Sequence, residues 1–161
     1  TWDIRCLGQV PWKLGAHGAP YGPGLALHRI GALAAAAVEG LEQCREAVQL
    51  LLAGFAVELP FYLLLKNSIR RARPGQVLTT FVQAYITPSD RFSLPSGHTA
   101  GAFVIVAAVA TCYPLWLPLV LLWAGGIGLS RIVLGVHFPL DVCAGAVLGT
   151  ASTMVALFLL S

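Results

Sequence analysis

Residues 92–106 read FSLPSGHTAGAFVIV and join a polar segment directly to a long apolar one. The motif PSGH occupies 95–98, and the stretch 99–129 that follows contains no charged residue. At 1.5 Å per residue, that stretch is too long for one ordinary membrane span. Pro114 and Pro118 interrupt it near the middle. Because proline breaks a helix, we predict two helices joined by a turn around these prolines.

The composition indicates a membrane protein. Of the 161 residues, 57% are hydrophobic and only 11% are charged, whereas soluble domains carry about 25% charged residues. A formal net charge of +3 is too small to indicate a nucleic-acid partner. We therefore predict a single integral membrane domain over 1–161, with the bilayer rather than nucleic acid as its partner.

The other apolar stretches predict an all-α polytopic transmembrane bundle of about five spans. Because the chain begins at Thr1 rather than Met, there is room for one further span upstream. Gly, Pro and two tryptophans predict a loop or interfacial segment at 1–24. Besides the two helices of 99–129, the predicted elements are a weak helix at 25–41, a polar connection at 42–46, a clearer span at 47–65 and a last span at 139–160.

The predicted topology brings the polar residues of the chain to one membrane face. If the second helix ends at Lys66, the next one starts at Ser96 on the same side. The turn at 113–118 then lies on the opposite side, and the following helix returns Arg131 and His137 to the first. We therefore expect one active site at this face.

Three clusters of polar residues, at 66–74, 95–98 and 130–141, would meet there. Lys66, Arg73 and Arg131 are cations, and several cations at one membrane face indicate an anionic ligand such as phosphate. Ser96 and Gly97 begin a helix, where backbone N–H groups and the helix dipole favour an anion that glycine allows to approach closely.

Two histidines in these clusters suit phosphoryl transfer. A neutral imidazole can attack phosphorus and a protonated one can supply the leaving oxygen with a proton, which are roles for His98 and His137. Asp141, four residues after His137, could hold the other ring N–H of that histidine. Equally, Asp141 could cap the last helix, and Ser96 could be only a helix cap.

Three further polar residues have weaker interpretations. Arg70 and Arg71 are predicted to be solvated or to touch lipid headgroups, with no catalytic role. Glu58 lies within a predicted span and is a functional candidate by default, although the sequence shows no partner for it.

The clusters resemble, in order and in internal spacing, the three-part signature of the type 2 phosphatidic acid phosphatase superfamily. The resemblance covers about residues 47–160. The matching motifs are Lys66-x6-Arg73-Pro74, Pro95-Ser96-Gly97-His98 and Ser130-Arg131-x5-His137-x3-Asp141.

The resemblance implies a helical bundle and a phosphatase that uses no metal and no cofactor. It implies that His137 is the nucleophile, His98 the general acid and Asp141 the residue that orients His137. The residues implied to bind the phosphate are Lys66, Arg73, Arg131, Ser96 and Gly97.

We therefore predict a membrane lipid phosphatase that acts through a phosphohistidine intermediate. The substrate would be a phosphate monoester or diphosphate of the phosphatidate, phosphatidylglycerophosphate or undecaprenyl pyrophosphate type, and the sequence leaves this choice open. One alternative is an enzyme like the vanadate-dependent haloperoxidases, which are soluble members of the same superfamily. Another is a bundle that binds or transports lipid phosphates without catalysis.

The orientation of the active site is predicted from two opposing arguments. The cations at 66–73 would place this face in the cytoplasm by the positive-inside rule. At least two of them are expected phosphate ligands, however, so the number of cations is a poor guide to the orientation of the protein. The resemblance to bacterial lipid phosphatases favours the inner (plasma) membrane with the site facing the periplasm or exterior.

Overall fold

The computed structural model of the protein describes residues 23–77 and 91–161, with side chains from Gly31 onward. Most of the segment predicted at 1–24 therefore lies outside the described residues. Those that are described form helices and short connections, as predicted. In chain order the helices are α1 Pro23–Ile69, α2 Pro74–Val77, α3 Gly97–Cys112, α4 Leu117–Val133 and α5 Pro139–Leu160, with a 3₁₀ turn at Pro114–Trp116 between α3 and α4.

The predicted polar connection at 42–46 is wrong, because α1 continues through it for a total of 47 residues. The stretch contains Glu42, Gln43, Arg45 and Glu46 but no glycine or proline. Glutamate, glutamine and arginine are good helix formers, so polarity alone does not end the helix. By its contacts the chain divides into two units, residues 1–46 and 47–161. The second unit contains all the predicted site residues.

Three stretches of the described chain are long and apolar enough to cross a membrane: Gly31–Val77, Pro114–Val133 and Pro139–Leu160. The predicted total of five spans is not confirmed, since α1 merges two predicted segments and α3 has only 16 residues. Large apolar side chains such as Leu122 (76% exposed) and Phe158 (79% exposed) face outward. Exposed apolar surface on this scale is what a lipid environment requires.

The break predicted from the two prolines lies where expected. Helix α3 ends at Cys112, the 3₁₀ turn follows, and α4 begins at Leu117 with proline in its first turn. Proline is well tolerated there because the first N–H groups of a helix have no intrahelical acceptor.

Helix α3 is the buried centre of the second unit, and α5 packs directly against its backbone. A Cβ atom added to Gly149 would lie 2.1 Å from the carbonyl oxygen of Ala100, and one added to Gly145 would lie 2.5 Å from that of Ser96. Neither distance leaves room for any side chain. Small residues four apart allow this close approach of membrane helices. The contact places the first turns of α3 and α5 side by side.

One face of the second half of α1 is buried, and its residues follow a spacing of four. This spacing is the one that aligns side chains along a helix. Gly54 packs near Val104 of α3 and Thr153 of α5, because a Cβ atom added to this glycine would lie 3.1 and 3.2 Å from their side chains. The face consists of Leu50, Gly54, Glu58, Tyr62 and Lys66.

Because α3 and α5 touch, the loss of stability caused by replacing a glycine should depend strongly on the position of that glycine. We expect Gly149→Ala to destabilise the protein by about 1–3 kcal/mol, since its methyl group must displace the Ala100 backbone. This corresponds to a loss of roughly 2–12 °C in the midpoint of thermal unfolding. The matched control is Gly126→Ala in α4, where a Cβ meets nothing within 4 Å.

Thermal unfolding of both variants in detergent, followed by circular dichroism, measures the difference. Alanine is the better helix former, so Gly126→Ala should leave the midpoint unchanged or slightly raised. Equal midpoints for the two variants would contradict the close packing of α3 and α5.

Candidate active site

The predicted site residues lie where helices begin and end. Lys66 is in the last turn of α1, Arg131 in the last turn of α4, and Ser96 precedes α3. A main-chain bond joins the starts of α3 and α5: the Ser96 N–H donates to the Asp141 carbonyl at 3.0 Å. The Arg73 side chain donates from Nη1 to the carbonyl of Val136 at 2.8 Å. The structure thus brings the three clusters of the sequence together.

His137 lies in the turn between α4 and α5 and is buried, with a relative exposure of 6%. The turn folds back on the end of α4, because the N–H groups of Val136 and His137 both donate to the Arg131 carbonyl at 3.2 Å. Gly135 has φ 69°, in the left-handed region that glycine adopts without strain. This tight turn holds His137 close to the end of α4.

The hydrogen bond of His137 determines which ring nitrogen can react. Its Nδ1 lies 2.7 Å from the carbonyl oxygen of Ser93. Because a carbonyl can only accept, Nδ1 carries the proton, and Nε2 of the neutral ring keeps its lone pair. Burial, followed by the charge of Arg73, holds the pKa of His137 below its ordinary value. The site therefore favours the neutral, nucleophilic form of the ring.

Asp141 does not form the predicted direct hydrogen bond with His137. Its Oδ2 is 3.9 Å from Nδ1, which is too far for a hydrogen bond. The same oxygen accepts from the Phe138 N–H at 2.8 Å and from the Ser93 hydroxyl. Asp141 thus caps the first turn of α5, which is the alternative role that the sequence allowed. It is connected to His137 through Ser93.

Lys66 and Arg73 are buried cations, 6% and 5% exposed. The Lys66 ammonium donates to the hydroxyl of Tyr62, one helical turn earlier. The Tyr62 ring in turn lies 3.0 Å from the position that a Cβ of Gly97 would occupy. Tyr62 therefore fills the space between the end of α1 and the start of α3 and holds the ammonium near the site.

Arg131 has a buried Nε atom that makes no hydrogen bond within the part of the chain that the structure describes. Leaving such a donor unsatisfied costs about 1–3 kcal/mol, and more for a charged group. An anion placed against the guanidinium would remove this cost. The arrangement is the one expected of a residue that binds a phosphate oxygen.

The PSGH motif forms the start of α3. Ser96 is fully buried at the N-cap position, but its side chain caps no backbone N–H and instead accepts from the Thr99 hydroxyl at 3.0 Å. His98 lies in the first turn with an exposed side chain. The roles of Ser96, Gly97 and His98 stay predictions. The positive end of the α3 dipole favours an anion beside them.

Three residues at the site were not predicted from the sequence. Tyr62 could have been found, because it lies four residues before Lys66 on the same helical face. Ser93 contacts His137 through its backbone carbonyl, which no residue type encodes. Arg71 was predicted to be solvated, but its Nη1 is 3.0 Å from Oδ1 of Asp141.

The chain is similar to known bacterial phosphatases. The Mycobacterium tuberculosis decaprenylphosphoryl-5-phosphoribose phosphatase is 33% identical over 97 residues, which cover 60% of this chain and 52% of that protein. This chain thus spans about half the length of that relative.

Two solved structures share the fold. Aquifex aeolicus LpxE superposes with a TM-score of 0.63 and 31% identity, covering 71% of this chain and 68% of that one. A transmembrane PAP2-type phosphatidylglycerolphosphate phosphatase from Bacillus subtilis gives 0.51 and 25%, covering 86% and 77%. The Bacillus subtilis protein is transmembrane, and the helices of this chain are long and apolar. Together these observations identify this chain as an integral membrane protein.

The model of one protein family, described as the PAP2 superfamily, matches residues 46–160. This range includes all three clusters, the second half of α1 and all of α2 to α5, and it is well over half of the chain. The resemblance seen in the three motifs is therefore confirmed, and the chain belongs to the PAP2 superfamily.

Proposed function

We propose that this protein is a membrane lipid phosphatase in which His137 accepts the phosphoryl group. The observation that carries the proposal is the hydrogen bond from Nδ1 of His137 to the Ser93 carbonyl, which leaves Nε2 as the nucleophile. Lys66 and Arg73 lie close enough to affect the charge of this imidazole. They would stabilise the negative charge that develops on a phosphoryl group during transfer.

The proposed reaction has two steps. Nε2 of His137 attacks phosphorus, the bond from phosphorus to the lipid oxygen breaks, and His98 gives that oxygen a proton. In the second step His98 takes a proton from water, whose oxygen attacks the phosphohistidine, and inorganic phosphate and neutral His137 are formed. Arg131 would bind a phosphate oxygen throughout, which would satisfy its buried Nε. The family resemblance implies that no metal or cofactor takes part.

A lipid substrate is supported by the surroundings of the site and by the relatives. Apolar side chains are exposed along α4 and α5, so an acyl or prenyl chain can stay in the bilayer while its headgroup reacts. The two similar proteins named above as phosphatases act on a decaprenyl-linked phosphate and on phosphatidylglycerolphosphate. We propose the same class for this chain: a lipid phosphate monoester or diphosphate.

The first prediction of this proposal concerns the intermediate. Rapid quenching with a ³²P-labelled lipid phosphate should trap an acid-labile phosphohistidine that carries the label on Nε2, because Nδ1 is engaged by Ser93. His137→Ala should abolish both label and turnover, and His98→Asn should slow turnover by roughly 10²- to 10⁴-fold. Label that persists in His137→Ala, or that lies on Nδ1, would refute the mechanism. Binding of the lipid without label in the wild-type protein would favour the non-catalytic alternative.

The second prediction concerns pH. Attack requires neutral His137, and burial together with Arg73 lowers the pKa of this residue. The imidazole should therefore stay neutral until the pH falls below about 6.5, the ordinary value for histidine. NMR of the ¹⁵N-histidine-labelled protein in detergent, with His137→Asn to assign the signal, gives this pKa directly. A value at or above that of free histidine would show that the site does not favour the neutral ring.

The third prediction concerns orientation. We propose that the site faces the periplasm or exterior of a bacterial inner membrane. Arg91, which is exposed and lies shortly before the PSGH motif, provides a labelling position. Arg91→Cys, in a background without the native cysteines, should react with a membrane-impermeant maleimide in intact cells or spheroplasts. Reaction only after the membrane is disrupted would place the site in the cytoplasm.

A further inference from the structure

We propose that Arg71 and Ser93 are positioning residues that connect Asp141 to His137 and so hold the nucleophile in place. Neither is a specified residue of the three-part signature: Arg71 is at an unspecified position of the first motif, and Ser93 lies two residues before the second. The inference rests on the proposed function of His137 and adds two residues to it. It also changes the role of Asp141, which acts on His137 through Ser93.

Ser93 connects three separate segments of the chain. It is completely buried. Its N–H donates to the Arg71 carbonyl at 2.8 Å, its hydroxyl donates to Oδ2 of Asp141, and its carbonyl accepts from Nδ1 of His137 at 2.7 Å. Each of its hydrogen-bonding groups thus has a partner, and each partner lies in a different part of the site. A movement of Ser93 would therefore move the imidazole.

Arg71 neutralises the carboxylate at the other end of this connection. Asp141 has no exposed side-chain surface, and an unpaired charge in such a position is costly. Nη1 of Arg71 is 3.0 Å from Oδ1, and the Arg71 side chain keeps 34% of its own surface exposed. The pair therefore combines a buried anion with a cation that stays partly hydrated. Its formation costs less desolvation free energy than a pair of two buried charges would.

The guanidinium of Arg71 makes a second contact that fixes its direction. Its Cζ lies 4.5 Å from the centre of the Phe138 ring, and Phe138 directly follows His137 in the chain. A planar guanidinium can stack on a ring and bond a carboxylate in its own plane, whereas an ammonium has no such plane. Arg71 thus holds both the residue after His137 and the carboxylate that caps α5.

These contacts together define the direction of Nε2. Arg71 orients Asp141, Asp141 accepts from the Ser93 hydroxyl, and the Ser93 carbonyl accepts from Nδ1. None of the contacts involves the predicted phosphate ligands. Loss of the connection should consequently impair the attack step more than the binding of the phosphate.

The kinetic test compares Arg71→Gln with Arg70→Gln in the full chain, in detergent, with one lipid phosphate substrate. Arg70 is the matched control because it is adjacent and exposed, and its Nε donates to the nearby carbonyl of Asn67. Arg71→Gln should lower kcat by roughly 10- to 100-fold, the effect of a small misplacement of a reacting group, with KM changed less than about threefold. Arg70→Gln should leave both constants unchanged. Equal kcat values for the two variants would overturn the inference.

Two further variants separate positioning from folding. Arg71→Lys keeps the charge but not the stacked plane, and should recover part of the kcat lost in Arg71→Gln. Ser93→Ala keeps the carbonyl and loses only the bond to Asp141, so it should lower kcat with little change in KM. If Arg71→Gln does not fold, an Arg71→Lys or Ser93→Ala protein with wild-type kcat would contradict the proposal.

A spectroscopic measurement does not depend on turnover. The charged groups that act on the His137 imidazole include Lys66, Arg73 and Asp141. Without Arg71, the negative charge of Asp141 is less neutralised and should raise the pKa of His137 in the ¹⁵N-histidine spectrum. Asp141→Asn should lower it. This pKa reports how far Arg71 neutralises Asp141, whereas the kcat of Ser93→Ala reports the bond that runs through Ser93.

This measurement also separates the two proposals. If the wild-type protein forms no phosphohistidine, the proposed function is wrong, yet the spectrum still reports on the connection. An unchanged His137 pKa in Arg71→Gln would overturn the connection even in an active phosphatase.

Discussion

The site depends on the direct contact between the backbones of α3 and α5. Gly145 and Gly149 let α5 approach until no side chain could stand between the helices. With the helices this close, the Ser96 N–H reaches the carbonyl of Asp141, and the two helix starts form one surface. Ser93 and His137 each lie a few residues before one of these starts. Their hydrogen bond is therefore possible only because the helices touch.

The same arrangement gathers positive charge around a buried imidazole. Lys66 and Arg73 are nearly inaccessible, and such cations are costly to bury without partners. Tyr62 and the Val136 carbonyl supply uncharged partners that compensate part of this cost. The nearby carboxylate of Asp141 is instead paired with Arg71. The buried carboxylate is thereby neutralised by an arginine that is not one of the predicted phosphate ligands.

Much of this could be predicted from the sequence. Charge-free apolar stretches and the prolines at 114 and 118 predicted the helical fold and the turn between α3 and α4. The predicted order of helices indicated that the three motifs come together, because each motif lies at a helix end. The length of α1 could not be predicted, since polar residues such as Glu42 and Arg45 mark a surface and not the end of a helix.

The finer connections at the site were not predictable for a different reason. The partner of Nδ1 of His137 is a backbone carbonyl. Every residue has one, so the residue type at position 93 does not identify this partner. Spacing of four between His137 and Asp141 suggested a direct bond, yet Asp141 also lies three residues after Phe138, which is the spacing of a cap on α5. Likewise, two adjacent arginines have the same chemistry, and only the path of the chain after α1 decides that Arg71 faces inward and Arg70 outward.

Gly97 shows that one residue of a motif can be subject to two requirements, one steric and one predicted from the chemistry of the site. Its missing side chain leaves room for Tyr62, whose ring would lie 3.0 Å from a Cβ at this position. The predicted requirement is that an anion can approach the backbone here. Tyr62 in turn holds the Lys66 ammonium. Positions 62 and 97 therefore form a steric pair across two helices. In related chains, the residue tolerated at one position should depend on the size of the residue at the other.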